Sequence, residues 1–260
     1  MNASWRSLHD ELGIGAIETG KLRLAPADHE KLRSWITLET SADPLVTDIK
    51  GGRLEVASQV SNEKWAIEGV FSDLMQVNVR SGEVPLKQGD AVTPPDTLLS
   101  ITPDDLAIDR IKSVVIVENG IIARHWHKCR IPADLDDSIM VYRGHDANAT
   151  VVKRWIKSIS SNITAIGYFD FDPAGLGLAI DYQVNGILIP DPLDDEFFEQ
   201  SKNKTDLYHD QLLQRPNIDS QLPENLMKVW QYMTDRKCAV TQERITAMKW
   251  GLKTVALAAV

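Results

Sequence analysis

An apolar segment that ends in two closely spaced aspartates constrains the fold of this 260-residue chain more than any other feature. The run Ile163–Phe169 has the composition of a buried β-strand, and Asp170 and Asp172 follow it directly. Residues two positions apart in an extended segment point to the same side, so the two carboxylates should project together. Pro173 cannot continue a hydrogen-bonded ladder, and Gly175 begins the turn into an apolar helix. The segment therefore predicts a central strand with two carboxylates at its C-terminal end.

A second segment repeats this layout earlier in the chain. The apolar run Val114–Val117 indicates another buried strand, which ends at Glu118 and passes through Gly120 into an apolar helix. Open α/β sheets bind ligands at the carboxyl ends of their strands, so we expect Glu118, Asp170 and Asp172 to meet at one sheet edge. Such carboxylates can hold one or two Mg²⁺ or Mn²⁺ ions against a phosphate, because hard cations prefer oxygen ligands. The alternative is that the two aspartates are merely solvated.

The composition is that of a globular protein in a reducing compartment. Apolar residues make up 43% of the chain, no apolar run is long enough to cross a bilayer, and the N-terminus has no signal-peptide core. Cys129 and Cys238 have no metal-binding spacing and are too few for a disulfide framework. These features predict a cytoplasmic protein without membrane partners.

The charge is unevenly distributed. A net charge of −9 argues against broad, non-specific binding to nucleic acid, which depends on many phosphate contacts. Residues 110–157 nevertheless contain nine Lys or Arg and five Asp or Glu, which gives a local balance of +4. This basic stretch surrounds Glu118. It indicates either phosphate-binding side chains near the expected site or ordinary surface charge on helices.

Residues 1–108 have the pattern of a smaller α+β domain. Trp5–Leu12 and Pro26–Leu38 have the spacing of amphipathic helices, and residues 53–60, 69–71 and 75–80 have a β-like texture. A polar piece, Thr102–Asp105, is the expected domain boundary. The role predicted for this domain is binding of DNA or of a partner.

From residue 109 onward, strands and helices alternate. Strands are expected at residues 112–117, 138–142 and 186–190, and helices at residues 120–128, 146–158 and 176–182, in addition to the aspartate-tipped strand. Alternation of this kind predicts a parallel sheet with helices on both faces over residues 109–204. Residues 205–260 are expected to form a helical extension, and Thr241 caps a last helix that runs to Leu252.

Taken together, these elements resemble the Toprim domain of topoisomerases, primases and several nucleases. The version in the topoisomerase VI A subunit and in the nuclease subunit (JetD) of Wadjet plasmid-defence systems is particularly similar. The shared features are the strand that ends at Glu118, the Asp-x-Asp-Pro-x-Gly motif at Asp170–Gly175, and between them a strand, glycine and helix around Gly144. The resemblance covers about residues 110–195. It implies a Toprim-type fold and a metal-dependent reaction on DNA.

The resemblance also implies roles for individual residues. Glu118, Asp170 and Asp172 would be the catalytic and metal-binding residues, and Glu243 could complete the metal site, although a glutamate in a capping turn is the simpler interpretation. Basic side chains nearby would contact DNA phosphates; the candidates are Arg124, Arg143 and Arg154. Four residues would shape the structural turns; these are Gly120, Gly144, Pro173 and Gly175.

One departure from the family bears on the mechanism. The topoisomerase VI A subunit cleaves DNA with a tyrosine located before its Toprim domain, but this chain has no tyrosine before Tyr142. Water is then the expected nucleophile and phosphodiester hydrolysis the expected reaction. The resemblance further implies a homodimer, an SMC-type motor complex as partner, and a role as the nuclease subunit of a bacterial anti-plasmid or anti-phage defence complex.

Two other interpretations remain open. Phosphotransferases of the haloacid dehalogenase type also place Asp-x-Asp after an apolar strand, but here Pro173 and Ala174 follow the second aspartate instead of the usual glycine and threonine or valine. An adaptor that kept the Toprim fold without catalysis is the non-enzymatic alternative. The presence of Glu118, Asp170 and Asp172 argues against it.

Overall fold

The computed structural model describes residues 2–48, 50–61, 71–159 and 163–257, with only the backbone of residues 146 and 147. The chain forms two compact units, Met1–Ser72 and Asp73–Val260. The sequence placed the boundary near residue 108, so the predicted division differs from the one in the structure. No described helix combines the length and apolar character needed to cross a membrane.

The first unit is small and mainly helical. Its elements are α1 (Ala3–Leu12), β1 (Ala16–Glu18), β2 (Lys21–Arg23), α2 (Pro26–Thr40) and α3 (Arg53–Gln59). The two expected helices are confirmed, but the expected β character of residues 53–60 is wrong. Val56, within α3, and Val60, the residue that ends it, are buried together with Ala42. Of the expected strand at 69–71, residues 69 and 70 lie outside the described residues.

A seven-stranded mixed sheet dominates the second unit. Its order is β11-β10-β9-β7-β8-β3-β6. Parallel pairing joins β7 to β8, β7 to β9 and β9 to β10, whereas β3, β6 and β11 pair antiparallel. The strands of this unit, including a separate two-stranded ribbon of β4 and β5, are β3 (Met75–Asn78), β4 (Glu83–Val84), β5 (Ala91–Val92), β6 (Leu99–Ile101), β7 (Ser113–Val117), β8 (Ile139–Tyr142), β9 (Thr164–Tyr168), β10 (Gly186–Asp191) and β11 (Gly251–Ala256). The expected α/β class is confirmed, but the sheet is mixed and not purely parallel.

The helices of this unit cover both faces of the central strands. They are α4 (Gly120–Arg124), α5 (Asp146–Ile159), α6 (Pro173–Tyr182), α7 (Asp195–Gln200), α8 (Thr205–Gln214), α9 (Met227–Arg236) and α10 (Gln242–Ala247). Successive residues of a strand point to opposite faces, and all four residues of Val114–Val117 are 0% exposed. Both sides of β7 are therefore packed, as is typical of a central parallel strand.

Both flanks of the parallel core carry strands that the sequence pattern assigned elsewhere. β3 pairs with β8 and β6 pairs with β3, which brings residues 75–78 and 99–101 into the main sheet and explains why the division falls earlier than expected. The expected helix from Gln242 to Leu252 ends at Ala247, and β11 then pairs with the whole of β10. The C-terminal extension is therefore helical only in part.

Candidate active site

Two adjacent parallel strands, β7 and β9, bring the predicted carboxylates to one edge of the sheet. Their register pairs Val117 with Tyr168, so the residues that follow each strand lie side by side. The connection from β7 leads to β8 on one side of β7, whereas that from β9 leads to β10 on the other. Because such crossovers are right-handed, α4 and α6 lie on opposite faces. The backbone segments that follow β7 and β9 therefore run in opposite directions. The cleft between two such strand ends is where open α/β sheets bind ligands.

Glu118 is fixed to the end of β9 by its backbone and by its side chain. Its N–H donates to the carbonyl of Tyr168 at 3.1 Å, and its Oε2 accepts from the N–H of Asp170 at 3.1 Å. Nη2 of Arg143 lies 3.5 Å from its Oε1. Burial raises the pKa of Glu118, and the charges of Asp172 and Glu243 raise it further, whereas the Asp170 N–H and Arg143 oppose the shift. Glu118 is thus a half-buried carboxylate with one cation beside it.

Asp170 lies among three other carboxylates, those of Glu118, Asp172 and Glu243. Its Oδ1 accepts from the backbone N–H of Gln242 at 2.8 Å. Burial raises its pKa to about 7, and the neighbouring charges of Glu118, Asp172 and Glu243 act in the same direction. A carboxylate in these surroundings is costly to ionise. A bound cation would remove much of that cost.

Asp172 is buried and forms the N-cap of α6. Only 2% of the residue is exposed. Its Oδ1 accepts from the N–H of Gly175 and its Oδ2 from Nε2 of Gln211, both at 2.7 Å. Burial raises its pKa, while these hydrogen bonds and the charge of Lys204 lower it. Each carboxylate oxygen can accept a second interaction, so these bonds orient Asp172 without using its full capacity.

The Asp-x-Asp-Pro-x-Gly motif has a local physical explanation. Pro173 is the first residue of α6, where a missing N–H costs nothing. A Cβ at Gly175 would lie 2.0 Å from the carbonyl oxygen of Asp170, so only glycine allows the helix to start this close to the strand end. Between the aspartates, Phe171 exchanges backbone hydrogen bonds of 2.8 and 3.0 Å with Val240. The motif is therefore fixed on one side by the start of α6 and on the other by the backbone of Val240.

Sequence reasoning missed two glutamines, Gln211, which donates to Asp172, and Gln242, which is completely buried. Besides its backbone bond to Asp170, its Nε2 donates to the carbonyl of Tyr168 at 2.6 Å and its Oε1 accepts from the N–H of Asn119 at 2.9 Å. It therefore connects the ends of β7 and β9. Glu243 follows it, exposed, and its Oε1 accepts from Nδ2 of Asn119 at 2.6 Å. The sequence pattern drew attention to this segment because of Glu243, but no periodic pattern indicated a role for Gln242.

The predicted phosphate contacts are found in three different settings. Arg143 lies against Glu118. Nε of Arg124, near the end of α4, donates to the carbonyl of Asp96 at 3.1 Å. Arg154 is exposed on α5. Only Arg143 thus contacts one of the carboxylates.

The two remaining glycines that the sequence assigned to turns differ from each other. Gly144 has φ +76°, a left-handed conformation that favours glycine. Gly120 is instead the first residue of α4, and a Cβ there would make ordinary contact with the ring of Tyr142 at 3.4 Å. The first is a turn that requires glycine, and the second is a position that tolerates a side chain.

The donor chemistry of the cluster fits a hard divalent cation. Glu118, Asp170, Asp172 and Glu243 offer only oxygen ligands, and each of the first three has its pKa raised by burial. Within the described part of the chain, however, no three acidic, histidine or cysteine side chains converge on one point as a metal site. Mg²⁺ commonly binds through one or two carboxylates and completes its shell with water and substrate phosphate. The residues fit a site of that kind.

Comparison with known proteins places the chain in a family. Residues 72–254 match the model of the family described as "Domain of unknown function (DUF7281)", and the chain belongs to it. The matched range covers the second compact unit almost completely and includes every carboxylate of the cluster. No curated protein matches the sequence.

Proposed function

We propose that this protein is a metal-dependent DNA nuclease that hydrolyses phosphodiester bonds. The observation that supports the proposal most is the meeting of Glu118 with Asp170 and Asp172 at the diverging ends of β7 and β9, where the Asp170 N–H donates to Glu118 Oε2 at 3.1 Å. Half-buried and buried carboxylates that raise one another's pKa are typical of sites that act on a charged ligand. Together with the Toprim resemblance, this favours phosphoryl chemistry.

In this proposal each residue has a separate task. Asp170 and Asp172 would bind Mg²⁺ or Mn²⁺, while Glu118 would bind the same ion, bind a second one, or exchange a proton with the water or the leaving oxygen. When bound, the metal polarises the phosphoryl group and stabilises the charge of the transition state. Gln242 holds Asp170 in position, and the charge of Arg143 favours the ionised form of Glu118. Glu243 is a peripheral candidate ligand.

The DNA substrate and the partners form the finer part of the proposal. The excess Lys and Arg side chains of residues 110–157 would contact phosphates. The net charge of −9, however, predicts that the isolated protein binds DNA weakly. A homodimer would cut both strands. An SMC-type motor would bring DNA to the nuclease in an anti-plasmid or anti-phage complex, as the resemblance implies.

The test is cleavage of supercoiled plasmid by the purified protein in Mg²⁺ or Mn²⁺, with EDTA as the metal-free control. The variants are Asp172→Ala and Asp170→Asn, whose Oδ1 can still accept from Gln242. We expect nicking or linearisation by the wild type and a rate lower by about 100-fold or more in each variant. The exposed Asp104→Asn variant, which changes a carboxylate outside the cluster, should cleave like the wild type.

A calorimetric titration with Mn²⁺ makes the result interpretable in the absence of cleavage. Mn²⁺ binding that is lost in Asp170→Asn, without cleavage by the wild type, would favour a partner-dependent nuclease or the non-catalytic adaptor. Absence of both binding and cleavage would contradict the proposal. Turnover of a small phosphate ester by the same preparation would favour the haloacid-dehalogenase-like phosphotransferase.

A further inference from the structure

A groove of about 490 Å³ lies beside the carboxylate cluster. It is bordered by α4, by the 3-10 turn that follows α4, and by α10 with the turn that leads to β11. Its apolar part comes from Ile121, Ile122 and Ala247. Ile121 is 57% exposed, so the groove presents an open apolar surface.

The charged side chains along this groove are mainly basic. Lys128, Arg130 and Lys249 line it, against a single carboxylate from Glu243. Among the described residues, neither Arg130 nor Lys249 forms an ion pair, whereas Nζ of Lys128 lies 3.9 Å from Oδ1 of Asp96 and 3.3 Å from Nδ1 of His125. On a chain whose net charge is −9, this local excess of positive charge favours an anionic ligand.

The groove is continuous with the candidate active site through Glu243. This residue lines the groove and accepts from the side chain of Asn119, which directly follows Glu118. The preceding residue, Gln242, donates to Asp170. Gln242 and Glu243 are adjacent in the chain, so a ligand that extends from the carboxylate cluster along α10 would pass directly into the groove.

Lys249, one of the cations of the groove, has a left-handed backbone. Its φ is +56°, a left-handed conformation at a helix end that usually holds glycine. The turn is fixed by hydrogen bonds from its own N–H to Thr246 at 3.0 Å and from Trp250 to Ile245 at 3.1 Å. A lysine at a position suited to glycine retains a strained backbone, and here it places a cation at the groove.

We propose that this groove binds an unpaired DNA strand next to the phosphate that is cleaved. The inference rests on the proposed function and names the form of substrate that the site accepts. Single strands bind where a positively charged groove follows the phosphates and side chains, most often aromatic ones, contact the faces of the bases; here Ile121 and the ring of His125 line the groove. In a duplex those faces are stacked. The apolar surface of α4 and α10 therefore favours a single strand.

The experiment measures binding separately from cleavage. Fluorescence anisotropy of a labelled oligodeoxythymidine is recorded in EDTA with the wild type, Arg130→Gln and Lys249→Gly. We expect each variant to weaken binding about threefold to tenfold, and the slope of log affinity against log salt to fall by about 0.7 for each cation removed. Thermal unfolding should show Lys249→Gly to be as stable as the wild type or more stable, because glycine relieves the left-handed backbone.

The matched control is Lys237→Gly. Lys237 is exposed, has φ +49° at the end of α9 and does not line the groove. This variant removes the same charge from the same backbone conformation and should bind the oligonucleotide like the wild type. If both lysine variants lost the same affinity for the oligonucleotide, the effect would come from net charge and not from the groove, and the proposal would be overturned.

The remaining outcomes separate this inference from the proposed function. Loss of binding in the groove variants, with no metal-dependent cleavage by the wild type, would support the groove and contradict the nuclease. Cleavage that depends on Asp170, with unchanged binding in the groove variants, would support the nuclease and overturn the groove. Duplex binding as tight as single-strand binding, or equal displacement by polyglutamate, would also overturn the assignment to unpaired DNA.

Discussion

The backbone N–H of Gln242 donates to Oδ1 of Asp170 at 2.8 Å, although 72 positions separate the two residues in the chain. The side chain of Gln242 extends this connection, because it hydrogen-bonds to Tyr168 at the end of β9 and to Asn119 just beyond β7. Gln242, which lies far along the chain from both strands, therefore fixes the spacing between the strand ends that present the carboxylates.

We expect Gln242→Ala to lower both stability and activity. The change leaves the N–H of Asn119 without its partner and removes one of the two donors to the carbonyl of Tyr168, which keeps the N–H of Glu118. An unsatisfied group costs about 1–3 kcal/mol and a lost hydrogen bond about 1 kcal/mol, so the free energy of unfolding should fall by roughly 1–4 kcal/mol in urea denaturation. Plasmid cleavage should fall further than the lost population of folded protein explains, because Asp170 and Glu118 lose their fixed separation.

The control for this prediction is Gln231→Ala on the exposed side of α9, where the side chain donates to Asp235. Surface substitutions of this kind usually change stability by no more than about 0.5 kcal/mol. If Gln242→Ala were no less stable than Gln231→Ala, Gln242 would not be the connection between the two strands.

Two glycines near the site should respond in opposite ways to alanine. In Gly175→Ala the new methyl group would lie 2.0 Å from the carbonyl oxygen of Asp170, so α6 must shift, at a cost of about 3 kcal/mol or more. In Gly120→Ala the methyl group meets the ring of Tyr142 at 3.4 Å, and alanine favours the helix by up to about 1 kcal/mol. Thermal unfolding of the two variants measures the difference; similar melting temperatures would show that the start of α6 is not tightly constrained.

The positions of the central carboxylates could be predicted from local sequence patterns. Glu118 and Asp170 each follow an apolar run of strand length, and the rule that parallel strands present their carboxyl ends at one edge then brings them together. The fixation of these side chains could not be predicted in the same way. Gln211 and Gln242 reach the aspartates from 39 and 72 positions away, and a single buried glutamine leaves no periodic signal.

The limits of the fold prediction have a related cause. Residues 53–60 alternate enough to suggest a strand, but Arg53–Gln59 form a helix that buries Val56 against Ala42 and Val60. The last strand, β11, follows a helix without a strong stop signal, because Lys249 occupies the left-handed position where glycine normally marks a helix end. Long-range pairing with β10 then determines the conformation of residues 251–256.

Stability of the metal-free protein should fall as pH rises from 5 to 7. The folded-state pKa of Asp170 is about 7, against an ordinary value of 3.8. Within this window the folded state keeps a proton that the unfolded chain has lost, so raising the pH favours unfolding. The pKa values of Glu118 and Asp172 are raised as well and act in the same direction. Aspartates with lowered pKa, such as the half-buried Asp43, exert their effect below about pH 4.

Urea denaturation in EDTA at several pH values tests this expectation. Asp170→Asn should reduce the slope between pH 5 and 7, whereas Asp104→Asn should keep it. Because metal and protons compete for the same carboxylates, added Mg²⁺ should stabilise the wild type more at pH 8 than at pH 6. Stability that increases steadily from pH 5 to 8 without metal would contradict the assignment of a raised pKa to Asp170.

The ion pair between Arg143 and Glu118 predicts opposite effects on metal binding and on cleavage. Nη2 of Arg143 lies 3.5 Å from Oε1 of Glu118, so its charge repels a cation at the cluster. In Arg143→Met this repulsion disappears, and calorimetry should show Mn²⁺ binding at least about fivefold tighter, since a charge a few ångströms away is worth roughly 1 kcal/mol even in bulk water and more in a half-buried site. Cleavage at saturating metal should nevertheless fall, because the same guanidinium is the best-placed contact for a phosphate.

Arg154→Met, on the exposed side of α5, should leave Mn²⁺ affinity unchanged. Weaker Mn²⁺ binding in Arg143→Met would instead mean that Arg143 serves mainly to orient Glu118 as a ligand.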